Sequence, residues 1–325
     1  MDTILPSTDR IDIWIDCDPG IDDALMLALA AASADRLHLH GVSSVAGNVP
    51  SSVVTENVLR LASYAGLPDV PLARGAVAPL VRPAQDAAEV HGASGLGTVT
   101  LPASDRTLDA RPAVIAMRDA ILGLARDRRM TLVPTGPLTN IALLLRACPD
   151  CVERIERIVL MGGSTIGGNV TEHAEFNIWG DPEAAQIVFA SGLPIVMCGL
   201  DVTLQCGLTP VQIDELACDA DARLRALAQM LASYNQNESE WVHGVCVIHD
   251  AVTVLYLMNS ELFDGERTAI EVDCDEAHRG RTRRVEGRDA NVLLLNEVDM
   301  QAFQQVLLDR LHKLPPVCNE GKGCA

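Results

Sequence analysis

Residues 11–29 read Ile-Asp-Ile-Trp-Ile-Asp-Cys-Asp-Pro-Gly-Ile-Asp-Asp-Ala-Leu-Met-Leu-Ala-Leu, and this order decides the fold. Ile11, Ile13 and Ile15 form a β-branched apolar run, Pro19-Gly20 makes a turn, and from Ala24 the pattern becomes helical. Four aspartates, Asp16, Asp18, Asp22 and Asp23, crowd the strand-to-helix junction. In open α/β sheets ligands bind beyond the carboxyl ends of the strands, which is where this junction falls. Carboxylates packed this closely repel one another unless they share a cation or some are protonated. A hard, oxygen-loving metal, Ca²⁺ or Mg²⁺, is therefore the first expectation. Surface-turn and N-cap roles would suit one aspartate. Four of them behind a buried-looking strand favour a site.

Downstream, residues 39–45 are expected as a second strand running into Gly47-Asn48, and 51–65 as a helix with Val54, Val58, Leu61 and Ala62 at helical spacing. Strand, helix, strand, helix is the signature of a parallel sheet. The expected class is thus α/β: a Rossmann-like open, mostly parallel sheet flanked by helices. Further strands are expected at 130–134, 155–161, 194–198, 268–272, 282–285 and 291–295. Further helices are expected near 113–127, 141–146, 210–217, 221–237 and 300–311. Residues 75–112 break the rhythm with Pro79, Pro83, Pro102 and Pro112, and a loop this long usually binds something. Within it His91 faces a ligand or is a solvated loop histidine; Asn48, likewise, is a site residue or an ordinary turn asparagine. Asp181 reads as a helix cap and nothing more. Five strand ends converge on one crevice if the alternation holds. His249-Asp250 adds a proton carrier beside another hard-metal ligand.

A chain of 325 residues with no marked linker fits one domain, 1–314, followed by a flexible Pro/Gly-rich tail, 315–325. The net charge of −19 disfavours a nucleic-acid backbone or an anionic membrane surface as partner. The first ten residues lack a signal-peptide pattern, and no apolar run reaches the ~18 residues of a membrane span. A cytoplasmic protein is expected. Ten cysteines spread along the chain suit reduced thiols. Cys148-Pro-Asp-Cys151 matches C-x-x-C but has no second pair at zinc spacing, and it reads as buried apolar packing.

Taken together, Asp16-Cys17-Asp18-Pro19-Gly20-Ile21-Asp22-Asp23-Ala24, Gly47-Asn48, His91-Gly92-Ala93-Ser94-Gly95-Leu96-Gly97, Pro134-Thr135-Gly136-Pro137-Leu138-Thr139-Asn140, Met161-Gly162-Gly163, Ala174-Glu175-Phe176-Asn177 and His249-Asp250 span most of the chain. In this order they resemble the inosine-uridine preferring nucleoside hydrolases. The resemblance implies hydrolysis of the N-glycosidic bond of a ribonucleoside, purine or pyrimidine, in nucleobase salvage, with one bound Ca²⁺. It implies metal ligands at Asp18, Asp23, the Thr135 carbonyl and Asp250, with Asp16 binding the metal or orienting its ligands. Asp18 also matches the general base. Asp22, Asn48, Asn169, Glu175 and Asn177 match ribose contacts, and Met161 lines the ribose face. His249 matches the acid that protonates the leaving base, and His91 a second active-site histidine. A homodimer or homotetramer is implied as well.

The physics agrees with these roles. Breaking the C–N bond builds positive charge on the ribose and negative charge on the base, so acidic groups around the sugar and an acid at the base both lower the barrier. Two departures bear on specificity. Ala251 stands where the family often has Pro, and Asn237 and Trp241 stand where members carry Tyr or Gln. Trp241 either stacks on the base or plugs the pocket edge. Loop 76–90 and region 225–245 are expected to set base preference. Two other classes compete: a haloacid-dehalogenase-type phosphatase, from the D-x-D of Asp16 and Asp18, and a non-catalytic nucleoside- or ribose-binding protein. Gly20 and the adjacent Asp22-Asp23 depart from the phosphatase pattern, and no Walker pattern or Lys/Arg cluster marks a phosphate site.

Overall fold

The computed structural model describes residues 10–234 and 241–316, with the Trp241 side chain left aside. The first half runs β1 (Ile11–Cys17), α1 (Ile21–Ala31), β2 (Leu37–Ser44), α2 (Ser51–Ala65), β3 (Leu72–Arg74), α3 (Ala88–His91), α4 (Ala113–Gly123), β4 (Met130–Pro134), α5 (Thr139–Ala147) and β5 (Ile155–Met161). Then come α6 (Phe176–Gly180), α7 (Pro182–Phe189), β6 (Ile195–Cys198), α8 (Leu200–Thr203), β7 (Gly207–Leu208), α9 (Pro210–Ala217) and α10 (Ala222–Tyr234). The chain closes with β8 (Trp241–Val242), β9 (Val245–Val247), α11 (Ala251–Met258), β10 (Phe263–Val272), β11 (Thr282–Val285), β12 (Val292–Val298) and α12 (Met300–Leu311).

Nine strands form one sheet in the order β11-β10-β12-β6-β5-β4-β1-β2-β3. From β12 through β3 every neighbouring pair is parallel, and β10 and β11 close one edge antiparallel. The expected fold class is borne out. Strand β1 has β2 on one side and β4 on the other, so the chain reverses its winding there and opens a crevice at their carboxyl ends. Helices cover both faces, giving one core over α1, α2, α10, α11 and α12 and another over α4, α5 and α7. Every residue of α1 is buried, as its apolar run around the whole helix requires.

Several boundaries differ from expectation. The helix expected to 127 stops at Gly123, because Leu124 takes an extended conformation. Strand 268–272 is the inner half of the longer β10, whose outer half is mostly polar and gives no apolar signal. Strands β3, β7, β8 and β9, of two or three residues each, are too short to show a period. Asp181 does cap α7 through the Ala184 N–H at 3.1 Å, but it also accepts from the Leu80 N–H at 2.8 Å and Thr139 Oγ1 at 2.6 Å. It therefore ties the long loop to two helices. Cys148 and Cys151 are buried, unbridged thiols, and burial pushes Cys151 up to about 11. Of the expected tail, Pro315 is described, and its carbonyl accepts from Arg223 at 2.6 Å; Cys318 and Cys324 lie outside the described residues, as does Asn237. Among the described residues no helix is long and apolar enough to cross a membrane.

Candidate active site

The turn between β1 and α1 carries the acidic floor. Asp18 is fully buried. Its Oδ2 accepts from the Asn48 N–H at 2.8 Å, while its Oδ1 has no protein partner. Two loops close on this carboxylate only because they are glycine there: a Cβ on Gly47 would lie 1.8 Å from Oδ2 and one on Gly136 2.6 Å from Oδ1. Asp23 sits in the first turn of α1, where the helix end favours negative charge. Its Oδ2 accepts from the Gly20 N–H at 2.9 Å and its Oδ1 from Thr135 Oγ1 at 2.9 Å. Asp22, Asp23 and Asp250 bring carboxylate oxygens within 4.8 Å of one another.

This crowding has an electrostatic consequence. Burial first, then the charge of Asp23, pushes Asp18 well above the ordinary carboxylate range. Burial and Asp22 raise Asp23 to about 7, and burial with Asp22, Asp23 and Asp18 raises Asp250. Such a group cannot stay ionised together without a cation. An all-oxygen donor set with a buried, unpartnered Asp18 oxygen fits a hard divalent ion. Asp16 is placed differently: its Oδ1 accepts from Ser43 Oγ and from Asn140 Nδ2 at 2.8 Å, and burial lifts it to about 7. Asp16 thus knits β1 to β2 and α5, whereas Asp22 joins the trio.

A cleft of about 500 Å³ opens at the carboxyl ends of the strands. Asp22, Asn48, His91, Thr135, Met161 and Asn169 border it, as do Glu175, Asn177, His249 and Asp250. Glu175 caps α6: its carboxylate accepts from the N–H groups of Gly163 at 2.8 Å, Asn177 at 2.9 Å and Ile178 at 3.2 Å, yet burial still raises its pKa. Asn177 Nδ2 donates to the carbonyls of Thr135, at 2.8 Å, and Met161, at 3.2 Å, tying the β4 and β5 ends together. Asn169 is exposed, and its Oδ1 accepts from the Phe176 N–H at 3.0 Å. Thr203 Oγ1 lies 2.8 Å from His249 Nδ1 and orients that ring. His91 Nδ1 accepts from the Ile21 N–H at 3.2 Å, so the ring is anchored to the first turn of α1.

The profile of the family described as inosine-uridine preferring nucleoside hydrolase matches residues 13–305. The chain belongs to this family. It is similar to the non-specific ribonucleoside hydrolase RihC of Escherichia coli O1:K1, 42% identical over 302 residues that cover 91% of this chain and 96% of that one. Among solved structures it resembles a purine-preferring ribonucleoside hydrolase from Gardnerella vaginalis, with TM-score 0.86, 31% identity and coverage of 93% and 98% of the two chains. It also resembles a plant nucleoside hydrolase, PpNRh1, with TM-score 0.84, 28% identity and coverage of 94% and 100%. As a nucleoside hydrolase the protein is an enzyme that hydrolyses the N-glycosidic bond of ribonucleosides. The phosphatase and the non-catalytic alternatives fall with that membership.

Tyr234, at the end of α10, borders the nucleoside hydrolase cleft without having been expected there. Its hydroxyl donates to Asp22 Oδ1 at 3.1 Å and lies 3.3 Å from His91 Nδ1. Its spacing from Leu227, Met230 and Leu231 marks only an apolar helix face, so the sequence carries no signal for the hydroxyl. Phe176, Trp179, residues 85–87, Glu89 and Val90 also border the cleft, those from 85 to 90 falling in the loop expected to set base preference. Trp241 has its backbone in β8; its role toward the base concerns a side chain outside the description.

Proposed function

We propose that this enzyme is a Ca²⁺-dependent ribonucleoside hydrolase in which Asp18 is the general base and His249 the leaving-group acid. The observation that carries the reading is the Asp18 carboxylate: buried, held through one oxygen, unpartnered at the other, beside the Asp22-Asp23-Asp250 cluster. Asp18, Asp23, Asp250 and the Thr135 carbonyl would hold the ion, with Asp16 acting behind them through Ser43 and Asn140. When bound, Ca²⁺ neutralises the buried carboxylates and acidifies water at the ribose face.

Every other step belongs to the chain. Asp18 accepts the proton of the attacking water. Asp22, Asn48, Asn169, Glu175 and Asn177 orient the ribose hydroxyls, and the acidic members among them stabilise the positive charge that grows on the ring. Met161 packs against the sugar. His249 donates its proton to the departing base, with His91 as second histidine; such help is worth roughly 10²- to 10⁴-fold. A net charge of −19 suits a neutral nucleoside and repels a nucleotide.

The 42%-identical relative is named non-specific, and we extend broad purine and pyrimidine acceptance to this chain. Residues 1–314 act as one domain, in a cytoplasmic salvage enzyme assembled as a homodimer or homotetramer. A reducing-sugar assay over inosine, adenosine, uridine and cytidine tests the reading. Ribose release from both base classes is expected; release from one class alone overturns the broad preference, and release from none overturns the function.

A further inference from the structure

At the end of the sheet opposite the cleft, three side chains that catalysis does not use converge. We propose that Asp12, His38 and His40 form a second metal site, for a borderline divalent transition-metal ion such as Zn²⁺. His38 and His40 are two apart on β2, so the strand period places both on one face. Asp12 on β1 is the register partner of His38. Between the Leu39 and Val42 pairs β2 carries one residue more than β1, a bulge of the kind that re-aims neighbouring side chains.

The donor atoms already meet. Asp12 Oδ1 lies 3.0 Å from His38 Nδ1 and 2.7 Å from His40 Nε2, and all three donors lie within 4.8 Å of one another. Ligands at zinc bond lengths in a tetrahedron stand about 3.3 Å apart, so the two Asp12–histidine distances must open by roughly 0.3–0.6 Å. Two imidazoles and one carboxylate, with positions left for water, are a donor set that suits Zn²⁺ and its neighbours rather than Ca²⁺. Asp12 is almost wholly buried, and Arg128 binds its other oxygen, Oδ2, which fixes the carboxylate as outer partners of metal ligands do. The His38 side chain is 42% exposed and that of His40 20%, so an ion has a way in. Burial and His40 lower the pKa of His38, which keeps its ring neutral and its lone pair available at neutral pH. The guanidinium of Arg128, and Arg10 beside His38, oppose a second cation, which sets the affinity below that of a closed four-ligand site.

The test uses the full chain saturated with Ca²⁺, titrated with Zn²⁺ by equilibrium dialysis and with Co²⁺ by visible absorption. Wild type is expected to bind one ion per chain, with a Co²⁺ band that Zn²⁺ displaces and with ribose release unchanged. His38→Gln and His40→Gln are each expected to lose more affinity than the roughly 10- to 100-fold that loss of an outer partner costs, while Asp18→Asn keeps the site. Retained ribose release shows that the glutamine variants are folded. Equal uptake by wild type and the double glutamine variant, or no uptake by wild type below millimolar Zn²⁺, overturns the proposal.

Discussion

Asp18 is placed by glycine as much as by hydrogen bonds. A methyl group on Gly47 has to displace the carboxylate, since it would meet Oδ2 at 1.8 Å. Gly47→Ala is expected to lower kcat/KM by about 10²-fold, the usual consequence of an ångström of misplacement, while thermal melting stays cooperative. His249→Gln tests the proposed leaving-group acid apart from the proposed base. Turnover of a nucleoside should fall by about 10²- to 10⁴-fold, whereas a riboside with a leaving group that needs no proton should lose far less. Tyr234→Phe removes only the hydroxyl that reaches Asp22, and an effect near tenfold, carried mainly by KM, is expected from steady-state kinetics. The sequence showed Asp18, Asp22 and Asp23 because four acids at one strand end have no cheap structural explanation. It hid Tyr234, whose ring is ordinary helix packing and whose hydroxyl works through a fold contact 212 residues away.

The elements that carry the site are the long ones, and their periods were readable: β1, α1, β4 and β5 all lie close to where the alternation put them. Strands of two or three residues have no period to read, and loop side chains such as Asp181 have partners that only the fold brings near. Asp181→Ala removes the acceptor for Leu80, Thr139 and Ala184 at once. Unpaired buried donors cost roughly 1–3 kcal/mol each, so a clear fall in Tm is expected in a thermal melt. The same change frees the loop whose residues 85–87, Glu89 and Val90 border the cleft, and KM for nucleosides should rise with it.

At the scale of the molecule, the acidic floor couples stability to pH and metal. In the metal-free protein Asp16 and Asp23 hold their protons up to about pH 7, whereas their ordinary value is 3.8. A folded-state pKa above the unfolded one contributes stability that is complete at low pH and is lost as pH rises through the folded value. Chelated protein should therefore melt lower at pH 8 than at pH 5. If Ca²⁺ is the ion these carboxylates gather, as proposed, its addition should restore Tm chiefly at pH 8, where the ligands are deprotonated. Carboxylates held low, such as Asp109 at about 2 through its Arg111 hydrogen bonds, act in the opposite sense and only below about pH 4. In the proposed mechanism a cation gathered by these aspartates drives nucleoside cleavage. The most direct test is ribose release from inosine and uridine by protein stripped with a chelator and then resupplied with Ca²⁺. Release should vanish on stripping and return on resupply; undiminished release from stripped protein would show that cleavage needs no cation.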